Sequence, residues 1–145
     1  MSAEADPDRS SGDSLARFGP VFAALVGLIA LAILLQAVFA GEFVNHANTS
    51  GWLDAHDVGG DVTAGLAVFT AGFAFAALRS AARSLVIGAA VLGLAVIAQV
   101  EIGHAITGNG DNGLLVLHIP LALATFGLTI WLSVKARQLR LAAAA

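Results

Sequence analysis

Long apolar segments alternate with short polar ones along the whole chain, and this alternation predicts four helices. The apolar segments cover residues 18–40, 58–78, 85–106 and 113–134. Each is close to or above the length of about 20 residues that a helix needs to cross a hydrocarbon core of roughly 30 Å. The connections are about 16, 6 and 6 residues long, which leaves no room for a separate soluble domain. The pattern therefore predicts an all-α, integral membrane four-helix bundle.

Polar residues at the two ends of the chain predict short tails. The first tail, residues 1–16, is polar and mixed in charge, which is typical of disordered segments. The four-span domain then covers residues 17–137, and a short C-terminal tail covers residues 138–145.

Composition supports membrane insertion and narrows the chemistry. Of the 145 residues, 58% are hydrophobic and only 12% are charged, more apolar material than a soluble domain of this size needs. The chain has no cysteine, which excludes disulfides, thiolate metal sites and cysteine nucleophiles. The sequence shows no phosphate-binding loop, no Ser-His-Asp pattern and no sign of nucleic-acid binding. We expect the lipid bilayer as the main partner and no nucleic acid. The sequence leaves enzymatic activity open and favours a protein without it.

The basic residues predict the orientation in the membrane. All seven stand before the first span, between the second and third, or after the fourth. They are Arg9, Arg17, Arg79, Arg83, Lys135, Arg137 and Arg140. Because Lys and Arg concentrate in cytoplasmic loops, the pattern predicts a bacterial-type, multi-pass plasma-membrane protein with both termini cytoplasmic. All four histidines, His46, His56, His104 and His118, then fall at the outer side.

The four spans divide into two helical hairpins of similar design. The first helix of each hairpin carries a glutamine near its outer end, Gln36 or Gln99. The second helix carries a histidine, His56 or His118, six residues after a Ser or Asn that suits a helix N-cap. Two such hairpins running in the same sense predict a parallel repeat about an axis along the membrane normal.

Helical spacing predicts that both histidines face the bundle. Small residues follow each histidine at intervals of three and four, and small residues allow helices to approach closely. They are Gly60, Ala64, Ala67, Ala71 and Ala74 after His56, and Ala122, Thr125 and Thr129 after His118. Leu66, Phe69 and Phe73 lie on other faces, where lipid or outer packing suits them. Pro120 predicts a bend that re-aims His118.

Two inward histidines at one membrane depth suit bis-histidine ligation of heme b. Such a heme needs two neutral imidazoles facing each other across an apolar slot, with the iron as the bound metal. Gly59 and Gly60 would let a flat cofactor approach the backbone of the second span. A second interpretation stays open, in which His56 and His118 stabilise helix ends or bond a backbone carbonyl.

Three further residues form a secondary group of candidates. Glu101 and His104 are three positions apart, so they share a helix face and are candidates for a pair. Asp61 lies one turn inside the outer end of its span and needs a polar partner. Outer histidines and carboxylates also suit zinc or copper, although the sequence has no closely spaced pair such as HxxH or HxH.

These features together resemble one four-helix half of the heme A synthase family, the half that holds a bis-histidine heme b. The matching pieces are segment 36–41, His56 with Gly59 and Gly60, segment 99–103, and His118, within residues 18–137. The chain is also similar to small, uncharacterised four-span bacterial membrane proteins. The resemblance implies His56 and His118 as the axial ligands.

The chain departs from the heme A synthase pattern in three ways. It has one half only, Asp57 follows His56 where the family has arginine, and the paired cysteines of the family are missing. A homodimer would rebuild eight helices. We therefore predict a membrane heme-b-binding protein in electron transfer or heme handling, with a membrane redox partner or a second copy. The alternatives are a non-heme membrane assembly or interaction subunit and an outer-side metal-binding protein.

Overall fold

The computed structural model describes residues 7–45 and 50–144, with side chains from residue 12 onward. It contains four long helices: α1 (Pro7–Asn45), α2 (Ser50–Leu78), α3 (Arg83–Asn109) and α4 (Leu115–Ala143). One turn of 3₁₀ helix, Asn112–Leu114, precedes α4. The described residues contain no strand, so the prediction of an all-α protein with four helices is confirmed.

Each of the four helices is long and apolar enough to cross a membrane. This property is consistent with a multi-pass membrane protein. The helices also extend beyond the predicted spans. Residues 7–16 and 138–143, which the sequence places in tails, are helical in the structure. Leu15 is buried and Leu139 packs against the core, so apolar contacts support helix at both ends.

The helices form a four-cornered bundle in which each one packs against two neighbours. Helix α1 contacts α2 and α4, and α3 contacts the same two helices. Across the two diagonals, α1 to α3 and α2 to α4, no described Cα atoms come within 8 Å. Short connections between successive helices give the up-down-up-down arrangement common in such bundles.

Buried side chains are confined to one half of the bundle, which we call the closed half. It contains the ends of α2 and α4 and the starts of α1 and α3. The buried residue nearest the other end of the bundle is Ile29 in α1, Thr63 in α2, Val96 in α3 and Thr125 in α4. We call these four the floor residues. Beyond them, in the open half, none of the described side chains is buried.

Small and hydroxyl-bearing residues allow the close packing of the closed half. Ala67 and Ala74 are buried on α2, as are Thr125 and Thr129 on α4, so the predicted inward faces of these helices are confirmed. The Thr125 hydroxyl donates to the Leu121 carbonyl oxygen at 2.7 Å. Thr63, Thr70 and Thr129 likewise donate to carbonyls of their own helices. Hydroxyls satisfied in this way can be buried without losing a hydrogen bond.

Only some of the α2 residues that were predicted to point away from the bundle do so. Phe69 is 60% exposed, as that prediction requires. Phe73 instead packs against the core and meets the ring of Phe18 edge-on, with centroids 6.2 Å apart. A long aromatic side chain reaches around a helix made of small residues, which residue spacing alone does not reveal.

Close contact between α3 and α4 depends on Gly88. A Cβ atom built there would lie 2.7 Å from Cδ2 of the fully buried Leu132. Gly88→Val should therefore lower the free energy of unfolding by about 1–3 kcal/mol through overpacking. Gly127→Val is the matched control, because nothing lies within 4 Å of its Cβ position. Unfolding in detergent measures both variants, and equal stability would contradict the packing described here.

Candidate functional site

A cavity of about 490 Å³ lies in the open half of the bundle and draws its walls from all four helices. Three of the four floor residues, Thr63, Val96 and Thr125, lie at its base. The walls are mostly apolar, and exposed residues such as Leu34 and Leu123 border it. A largely apolar cavity with a few polar side chains is typical of cofactor and small-molecule sites.

His56 and His118 meet inside this cavity from diagonally opposite helices. Each stands seven positions before a floor threonine of its own helix, Thr63 or Thr125, which places both about 10 Å above the floor. Their ring centroids are 6.4 Å apart and their planes make an angle of 62°. The structure therefore brings the two predicted residues together.

A hydrogen bond fixes the ring of His56. Its Nδ1 lies 3.1 Å from the backbone carbonyl oxygen of Gln36. A carbonyl oxygen only accepts, so Nδ1 carries the hydrogen in this bond and Nε2 keeps its lone pair. The ring of Phe43 packs edge-on against the imidazole, with centroids 5.5 Å apart. This is the tautomer that presents Nε2 to a metal.

His118 is held differently. Its Nδ1 is buried and has no hydrogen-bond partner among the described residues. Gly103 of α3 lies beside the ring, and a Cβ atom there would be 3.4 Å from Cε1 of His118. Glycine at this position thus leaves space for the imidazole to sit between α3 and α4.

Gln36 and Gln99 occupy the other diagonal of the cavity. Both line it, and the Oε1 atom of each is buried without a hydrogen-bond partner in the part of the chain that the structure describes. A buried acceptor left unpaired costs about 1–3 kcal/mol. The sequence repeat singles out these glutamines, but their spacing alone does not show that they share a cavity with the histidines.

The two predicted glycines of α2 have different surroundings. Gly60 lines the cavity, as expected of a residue near a cofactor. Gly59 lies against the side chain of Gln36, and a Cβ there would collide with the Gln36 Nε2 atom. Gly59 therefore makes room for an amide group.

The secondary candidates differ in their positions relative to the cavity. His104 lines the cavity, and its Nε2 lies 3.7 Å from Oδ1 of Asp61, with side chains 46% and 60% exposed. The partner of His104 is thus Asp61 on α2, and Glu101 is exposed and outside the cavity lining. Asp57 also lines the cavity. His46 lies outside the described residues.

Two imidazoles are the donors that this cavity would offer to a metal. A ring nitrogen lies roughly 1.1 Å from its imidazole centroid, so rings bonding one metal from opposite sides at about 2.0–2.1 Å have centroids roughly 6.2–6.4 Å apart. The observed 6.4 Å agrees with this spacing. No group of three or more His, Asp or Glu residues within 12–45 and 50–144 could hold a metal ion. Those residues therefore offer no zinc or copper site of that kind, whereas bis-histidine heme needs only two protein ligands.

No protein-family model matches the chain, and neither does any curated protein or solved structure. The resemblance to heme A synthase therefore stays a prediction that depends on the matching residues.

The unpaired acceptors in the cavity should reduce stability when no cofactor is bound. Gln99→Leu removes one of them, and we expect the free energy of unfolding of cofactor-free protein to rise by about 1–2 kcal/mol. Gln138→Leu is the control, because the same change occurs at an exposed position. Denaturant unfolding in detergent measures both variants. A loss of stability in Gln99→Leu would show that the amide is already satisfied.

Proposed function

We propose that this chain is a membrane protein that holds one heme b between His56 and His118 and serves in electron transfer or heme handling. The observation that carries the proposal is the meeting of two imidazoles at 6.4 Å, from diagonal helices, inside a mostly apolar cavity. Inward ionisable residues are rare within membrane helices, and they are functional candidates by default.

The surrounding residues have separate tasks in this proposal. The Gln36 carbonyl orients His56, and such outer hydrogen bonds also make the ring a better ligand. Gly103 keeps side-chain volume away from the His118 ring, and Gly60 lines the cavity. The tightly packed floor closes the inner side. A bound heme supplies reversible one-electron chemistry, and the apolar wall around it influences the reduction potential.

With both histidines bound to it, a heme iron would have no position left for a substrate, so the proposal favours electron transfer over substrate conversion. We therefore propose a redox partner within the membrane or at the outer face. A second copy of the chain is the other partner that the proposal allows, since exposed apolar side chains cover the outer surface of the bundle.

We also propose that the open half lies at the outer side of a bacterial-type plasma membrane, with both termini cytoplasmic. The basic residues support this orientation. Arg79, Arg83 and Arg140 all lie at the end of the bundle that carries the closed half. The histidine pair lies toward the opposite end, where the described helices and their connections contain no lysine or arginine.

An absorption spectrum of the purified protein tests heme binding. Expression with ample heme should give a Soret band and, after reduction, the sharp α-band of low-spin bis-histidine iron. His56→Ala and His118→Ala should each abolish this low-spin spectrum, because each removes an axial ligand. His46→Ala and His104→Ala are the matched controls and should retain it.

A wild-type protein that takes up no heme would overturn the proposal. That result would favour the alternative, a non-heme membrane assembly or interaction subunit. If the low-spin spectrum were lost in His104→Ala and kept in His118→Ala, the proposed ligand pair of His56 and His118 would be wrong.

Single-cysteine labelling tests the orientation. The natural chain has no cysteine, so every introduced thiol is unique. In intact cells a membrane-impermeant thiol reagent should label Asn109→Cys and leave Ser80→Cys unlabelled, because these residues lie near opposite ends of α3. Both should react after permeabilisation. The reverse labelling pattern would place the histidine pair on the cytoplasmic side.

A further inference from the structure

The two histidines differ in how firmly the protein holds them. His56 is the seventh residue of α2, within regular helix, and its Nδ1 is bonded to the Gln36 carbonyl oxygen at 3.1 Å. This bond joins α2 to α1 and fixes both the tautomer and the direction of the ring. Nε2 of His56 is thus set in place before any ligand binds.

His118 lacks this support. Its Nδ1 has no partner in the described segments, although the repeated hairpins would suggest a bond to Gln99 like that of His56 to Gln36. Nothing in residues 12–45 or 50–144 therefore fixes its tautomer by hydrogen bonding.

The backbone around His118 is also weakly held. His118 is the fourth residue of α4, directly after a turn of 3₁₀ helix. This turn provides a partner for the first N–H group of α4, because the Leu115 N–H donates to the Asn112 carbonyl oxygen. Pro120 has no N–H to donate, so the Val116 carbonyl loses its usual donor. The helix turn that carries His118 therefore has fewer hydrogen bonds than the turn that carries His56.

We propose that His56 is the anchoring ligand and His118 an exchangeable one, so that the site accepts a small neutral diatomic ligand when His118 withdraws. This inference rests on the proposed heme site. The cavity provides the space that a small ligand needs, because Ala122 and Thr125, the residues below His118, are small. Its exposed apolar border, including Ile119 and Leu123, suits a neutral molecule that dissolves in the bilayer.

Heme retention separates the two roles. Loss of an outer hydrogen bond to a ligand already costs about 10–100-fold in metal affinity, and loss of the anchoring ligand should cost at least as much. We expect heme content per purified protein to fall by at least about tenfold in His56→Ala. In His118→Ala it should stay within about twofold of wild type, with a five-coordinate spectrum that added imidazole returns to six-coordinate. Helical circular dichroism shows whether each variant is folded.

Carbon monoxide is the probe for the open position. Reduced wild-type protein should bind it with a shifted Soret band, and His118→Ala should bind it with higher affinity because no side chain competes. A reduced wild-type spectrum that saturating carbon monoxide leaves unchanged would overturn the proposal. So would equal loss of heme from the two folded variants, or greater loss from His118→Ala.

If either alanine variant fails to fold, His56→Gln and His118→Gln replace the alanine pair. Glutamine keeps most of the side-chain volume but offers no imidazole, so the same difference in heme content is expected between the two. Absence of heme from wild-type protein would overturn the proposed heme site itself, and with it this inference. Heme bound with no exchange at His118 would overturn this inference alone.

Discussion

Helix packing through small side chains is the constraint on which the whole molecule depends. In the bilayer that we propose for these helices, lipid tails are as apolar as the helices, so association must come from close van der Waals contact and satisfied polar groups. The closed half meets this demand with buried alanines, self-bonded threonines and glycines such as Gly88 and Gly93. Close packing in the closed half holds the four helices together, so the open half can leave space between them. The cavity lies where the helices have lost these close contacts.

Polar groups differ between the two halves as well as apolar ones. In the closed half every buried threonine hydroxyl described has an acceptor in its own helix. Of the four buried polar atoms without a partner in the described structure, three belong to Gln36, Gln99 and His118 in the open half, and the fourth is Nε of Arg140 in the closed half. Unpaired polar atoms are expensive inside a membrane. Their concentration around one cavity is better explained by a binding role than by a packing role.

The helices, their number and the inward faces of α2 and α4 could be predicted from the sequence, because span length and three-to-four spacing are local properties. The meeting of His56 with His118 could be expected from the hairpin repeat. The Gln36–His56 hydrogen bond and the His104–Asp61 pair could not. Both join different helices, and their formation depends on the rotation of each helix in the bundle, which local spacing does not specify. The sequence suggested Glu101 as the partner of His104 because the two residues are three positions apart on one helix, and local spacing does not reveal the partner on α2.

The diagonal placement of the histidines has a consequence for how the site is assembled. Each hairpin contributes one glutamine and one histidine, and neither hairpin alone encloses the cavity. A single hairpin could build a comparable set of side chains only by pairing with a copy of itself about a two-fold axis through the cavity. Fusing two such hairpins into one chain removes the need for identical ligands. Each histidine can then change independently of the other.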